Sequence, residues 1–103
     1  MKSVTVRFKL PEGDLELVTQ LVGAICNVSV NGVKPELILR VDNEVEVDLQ
    51  VDNPKLVYDY VRKLIIAGLR LSDVKIEELP NKIRATGTRG KKTVEIEVDI
   101  KKI

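Results

Sequence analysis

The stretch Asn81 to Lys92, NKIRATGTRGKK, carries five cations and no acid. Lys82, Arg84, Arg89, Lys91 and Lys92 alternate there with Thr86 and Thr88 and with Gly87 and Gly90, which lets charge and hydroxyl donors come close to a ligand. Phosphate oxygens require that combination and no base-specific motif, so the segment is expected to contact nucleic-acid backbone without sequence specificity. Five contacts of this kind predict a salt slope of about −4 on duplex DNA. The competing expectation is a solvated turn whose charges keep an edge strand from pairing with other chains.

Other chemistries find less to work with. Histidine is absent and Cys26 is the only cysteine, which removes Ser-His and Cys-His nucleophiles, imidazole ligands, cysteine zinc sites and an internal disulfide. Cys26 follows an apolar helical pattern and is expected in the core. Two acidic rows, Glu44, Glu46, Asp48 and Glu95, Glu97, Asp99, stand at alternate positions about 7 Å apart, too wide for one cation, and read as solvated strand faces. Gly87 to Thr93 touches on a phosphate loop, but its spacing departs from the Walker pattern and no helix follows. With no convergent acid pair either, the chain is expected to be no enzyme and to hold no cofactor and no metal.

At 103 residues and 44% hydrophobic, the chain suits a single α+β domain spanning 1–103. It has no run of eighteen apolar residues, and MKSVTVRFKL alternates rather than forming a charged head and an apolar stretch. A soluble cytoplasmic protein with no membrane partner is the expectation. Charged residues are 32% of the total, with Val, Ile, Leu, Lys and Glu dominant, a bias expected of a thermophilic, archaeal source. Residues 1–60 hold six Lys/Arg against ten Asp/Glu and residues 61–103 eleven against six, so the halves carry −4 and +5. Such polarity fits either a nucleic-acid face or a contact between subunits.

Several elements must position these groups. Ser3 to Leu10 alternates with Val4, Val6, Phe8 and Leu10 on one side, a strand with one buried face. Asp14 can cap a helix carrying Leu17, Val18, Leu21, Val22 and Ile25, fading at Cys26 to Asn27. Asn31-Gly32 between Val30 and Val33 marks a tight turn, and residues 27–35 read as connector or short hairpin. Glu36 to Val41 reads as an inner strand, joined through Asp42-Asn43 to the alternating strand Glu44 to Val51. Asn53 and Pro54 open a second helix, with Leu56, Val57, Tyr60, Val61, Leu64 and Ile65 as a stripe expected in the core and Gly68 at its end. Val74 to Glu77 begins another strand, which Pro80-Asn81 interrupts and Lys82 to Thr86 continues; Thr93 to Ile100 is the last. The basic segment then lies around the turn of a long terminal hairpin, as a protruding arm.

This order predicts a two-layer α+β sandwich with two helices on one face of a mixed or antiparallel sheet: ferredoxin-like β-α-β-β-α-β, with an extra C-terminal β-strand or hairpin. The two acidic rows would repel each other if adjacent, whereas Thr5, Arg7 and Lys9 complement either, so the first strand is expected beside at least one of them. RNA stacking on the open face is not expected, because the only aromatics are Phe8, on the buried side, and the helical Tyr58 and Tyr60.

Three stretches resemble the Alba family of archaeal DNA- and RNA-binding proteins. SVNGVKPELILRVDN is similar to that family's helix-to-strand passage, KLVYDYVRKLIIAGLRLSDVKIEEL to its second helix and third strand, and KKTVEIEVDIKKI to its last strand. FKLPEGD stands where the family has its lysine-pair loop, DNPKLVYDY replaces its small-residue motif, and Glu44 to Val51 is an additional strand. What the resemblance implies is therefore confined to the hairpin arm, with Arg84, Arg89, Lys91 and Lys92 reaching along a groove. The alternative expectation is a protein–protein assembly module or homodimeric scaffold subunit with no nucleic-acid role, dimerising through an edge or through its helices.

Overall fold

The computed structural model of the chain describes residues 2–102. Strand β1 covers Lys2–Lys9 and is followed by helix α1, Leu15–Asn27. Asp14 caps α1 by accepting from the Leu17 N–H at 3.1 Å. Strands β2, Val33–Val41, and β3, Glu44–Val51, form a hairpin, and a bridge between Val30 and Val33 closes the Asn31-Gly32 turn before it. Asn53 accepts from the Lys55 N–H at 3.0 Å, which makes residues 54–55 a turn and delays regular helix α2 to Leu56–Lys63. The helix then widens into a π-helical turn over Leu64–Gly68. Gly68 is needed there: a Cβ on it would lie 2.5 Å from the Ala24 Cβ of α1.

The remaining chain differs from the sequence expectation. Pro80-Asn81 does not interrupt one strand but turns between two, β4 at Ser72–Leu79 and β5 at Lys82–Arg89, with Asn81 at φ 59° as a Pro-Asn turn demands. Gly90, at φ 64°, opens the next turn into β6, Lys92–Lys102. Six strands result, in the spatial order β2-β3-β1-β6-β5-β4, and all neighbours are antiparallel. The position beside β1 opposite β3 is filled by β6, so β4 lies at the far edge rather than next to β1.

Register explains the layers. Val4, Val6 and Phe8 face Leu49, Val47 and Val45 on one side, and Val6 and Phe8 face Ile100 and Val98 on the other. Ile83 and Ala85 continue the same face opposite Val98 and Ile96. These side chains are buried with Leu17, Val18, Leu21, Ile25, Val57, Tyr60, Val61, Leu64, Ile65 and Leu69, so both helices cover one face of the sheet and leave the other open. Each fully buried aliphatic side chain contributes on the order of 2 kcal/mol. Cys26 falls outside the α1 stripe and is exposed, not in the core as its apolar neighbours suggested. Among the described residues no helix is long and apolar enough to cross a membrane.

Candidate functional site

The basic segment is not a protruding arm. β5 is hydrogen-bonded between β4 and β6, which lays Lys82, Arg84, Thr86 and Thr88 along the open sheet face. By alternation Arg89 emerges on the helix side, and only Lys91 and Lys92 occupy the turn and its edge, both exposed.

Strand pairing sorts the open face into transverse rows of alternating sign. Glu44, Lys9, Glu97, Arg84 and Glu77 form one row across five strands, and Glu46, Arg7, Asp99 and Lys82 form the next. β1 thus lies between both acidic strands, and its bases separate charges that would otherwise repel. The Arg7 Nη2 donates to Glu46 at 3.0 Å, and Lys9 Nζ lies 3.1 Å from Asp99. Lys82 Nζ donates to Glu97 at 2.6 Å and stands 3.7 Å from Asp99, while the Thr5 hydroxyl donates to Asp48 at 2.9 Å. Hydrogen bonding to Lys82 holds the Glu97 carboxyl below its usual range and raises the Lys82 ammonium in return. Burial pushes Asp99 up, but the hydrogen bond and charge of Lys9, with Lys82, bring it down on balance. The Arg7 guanidinium is raised by its hydrogen bond to Glu46. Such half-exposed pairs contribute little singly and more as a network.

Arg89 is committed elsewhere. Its Nη2 donates to both carboxylate oxygens of Asp14 at 2.8 Å, with the two side chains 24% and 16% exposed. Burial raises the Asp14 carboxyl, yet the Arg89 hydrogen bond and the Leu17 N–H together leave it lowered. The Arg89 Nη1 is buried without a partner among the described residues. Arg89 therefore ties the β5–β6 turn to the cap of α1. The Thr88 hydroxyl donates to the Ser72 carbonyl at 3.3 Å, and Thr86 is half-buried opposite Lys75 and Glu95. Of the five cations of the segment, Arg84, Lys91 and Lys92 enter no ion pair among the described residues. Arg84 still lies between Glu97 and Glu77, on the opposite stretch of β5 from the other two.

A different surface escaped the sequence reading. Strand β2 is an edge strand and not the inner strand its apolar run suggested. Ile38 and Arg40 lie opposite the buried Val47 and Val45, whereas Leu37, Leu39 and Val41 lie opposite Asp48, Glu46 and Glu44 and so face the open side. These three are 50%, 49% and 68% exposed. A hollow of about 240 Å³ runs beside them, lined by Arg7, Leu39, Val41, Glu44 and Glu46. The signal was the sequence Leu37-Ile38-Leu39, apolar on both strand faces, which marks either a doubly covered strand or a surface awaiting cover.

Among the described residues no group of three or more Cys, Asp or Glu side chains is placed to hold a metal ion. In the acidic rows Glu44, Glu46, Glu97 and Asp99 are instead paired with Arg7, Lys9 and Lys82. No family model matches the chain, and neither the curated proteins nor the solved structures give a match.

Proposed function

We propose that this chain is a non-enzymatic assembly module that joins another polypeptide along the free edge of β2. The observation that carries the reading is the row Leu37, Leu39 and Val41, about half or more exposed on a strand with one unpaired edge. An open edge offers backbone hydrogen bonds, and alternate apolar side chains supply the burial that makes strand addition favourable. The opposite edge is protected: β4 carries Asp73, Lys75, Glu77 and Glu78 and a register shift between Ser72 and Lys75. A photo-crosslinking amino acid at position 41, with one at position 77 on β4 as control, tests the reading in cells. Polypeptide adducts at 41 and not at 77, abolished by Leu37→Lys, are expected; equal labelling, or none at 41, refutes it.

Contact with nucleic-acid backbone is the second reading, supported by the exposed Arg84, Lys91 and Lys92. Three phosphate contacts limit its salt slope to about −3 on duplex DNA. The alternating rows weaken it further, because a polyanion meeting the open face at Arg84 encounters Glu77 and Glu97 on either side of it.

A further inference from the structure

We infer that the occupant of the β2 edge is a second copy of this chain, paired antiparallel about a twofold axis through Ile38. The inference rests on the edge-docking reading above and adds the partner and the register. Asp42-Asn43 is a two-residue turn closed by Val41 and Glu44. The closing pair of such a turn exchanges both its hydrogen bonds, so by alternation the N–H and C=O groups of Arg40 and Ile38 point away from β3. These are the groups a new strand must meet.

A twofold antiparallel pair centred on Ile38 places Leu37 of each chain opposite Leu39 of the other, and Glu36 of each opposite Arg40 of the other. Opposite charges directly across an antiparallel pair stabilise it, and like charges destabilise it. Neighbouring registers fail on that count. Centring on Leu39 sets Arg40 opposite Ile38 and leaves Glu36 facing the turn at Asp42, and centring on Leu37 sets Glu36 opposite Ile38 and carries Arg40 past the end of the ladder toward Lys34, so neither forms an ion pair. Shifting by a single residue sets helix-side residues against open-face ones, which strand alternation forbids. Only the Ile38 register joins both leucine pairs and both ion pairs. Pro35 has no N–H to offer, and the register shift between Pro35 and Leu37 bends the strand there, so the shared ladder ends at Glu36. The axis stands normal to the sheet, so two six-stranded sheets become one continuous sheet with all helices on the same face.

Charge reversal tests partner and register together, because Glu36 and Arg40 are both exposed and neither belongs to the core. Sedimentation is measured for the wild type, Glu36→Arg, Arg40→Glu and the double reversal, with circular dichroism confirming the fold of each. Every single reversal sets two like-charged pairs in the dimer and is expected to raise Kd at least ~10-fold. The double reversal restores opposite charges and is expected to return within ~3-fold of wild type, and an equimolar mixture of the two singles forms a heterodimer. A dimer indifferent to the single reversals, or a double reversal no better than either single, overturns the inference. A wild-type chain that stays monomeric to about 1 mM also overturns it. In that case adducts at position 41 with a different polypeptide leave the edge-docking reading standing, whereas no adduct there removes both.

Discussion

Replacing Arg89 by methionine keeps most of the side-chain volume and removes the guanidinium that binds both oxygens of Asp14 at 2.8 Å. Hydrogen bonds to a charged group contribute about 1.5–3 kcal/mol. Two features place this pair near 2 kcal/mol rather than at the top of that range. Asp14 keeps its hydrogen bond from the Leu17 N–H, and the variant also removes Nη1, a buried donor with no partner among the described residues. For a chain of this length each kcal/mol moves Tm by about 4–8 °C, so thermal unfolding followed by circular dichroism should show a fall of roughly 8–16 °C. Asp14→Asn retains a side-chain cap but loses the charge, and the double variant should be less destabilised than the sum of the singles by about 1 kcal/mol or more. A Tm within ~2 °C of wild type, accompanied by lost retention on heparin, would refute the reasoning: Arg89 would then face solvent and meet polyanions, as its place in the basic segment first suggests.

Gly68→Ala brings a methyl to 2.5 Å from the Ala24 Cβ and must push α1 and the π-helical turn apart, at about 1–3 kcal/mol in urea unfolding. Ala24→Gly in the same chain should recover most of that loss; no recovery means the contact is not the cause. Stability should also fall at both ends of the pH scale. Asp14, Glu97 and Asp99 have folded values below their unfolded ones, so their stabilisation is present above about pH 5 and disappears as pH drops through the folded values. Tyr60 behaves in the opposite sense: burial first, with the Cys26 charge, pushes it up to about 12, so its stabilisation is present below about pH 10 and is lost between there and 12. Urea midpoints across pH measure both limbs, and Tyr60→Phe should shrink the alkaline one to the part that Lys82, raised by Glu97, contributes.

Much of the architecture is legible wherever period and punctuation coincide. Val45 to Val51 and Val94 to Ile100 alternate without a break, and both are strands with those residues buried. Asp14, Asn31-Gly32 and Asp42-Asn43 each do what their side chains favour. Charge patterning predicts β1 beside at least one acidic strand, and it lies between both, with Arg7 and Lys9 paired to their carboxylates. Pro80-Asn81 is harder, because a proline after a strand reads equally as an interruption and as the first position of a turn, and only the pairing of Leu79 with Lys82 decides. Spatial order is harder still: whether β4 or β6 sits beside β1 depends on contacts about ninety residues apart, such as Phe8 with Val98. The basic segment misleads for the same reason. Its cations are adjacent in sequence, but the acids that neutralise Lys82 and Arg89 come from Glu97 and Asp14.

The strand order itself determines how far assembly can proceed. Because β6 takes the place beside β1, the sheet grows to six strands and leaves β2 and β4 as its two edges. A chain with two receptive edges stacks head to tail without limit, and one with a single receptive edge closes after two copies. Here the edges are unequal. β4 carries four charges in Ser72–Leu79 and a bulge next to Asp73, which holds φ 51°, so a neighbouring strand would meet carboxylates and a bent backbone. β2 carries Lys34, Glu36 and Arg40 and a register shift of its own after Pro35, but it presents the exposed apolar row Leu37, Leu39 and Val41 that β4 lacks, and in the proposed pair Arg40 would meet Glu36 of the copy. A receptive β2 with a guarded β4 favours a closed pair over a fibre, and neutralising β4 with Lys75→Val and Glu77→Val is the change that would remove that distinction.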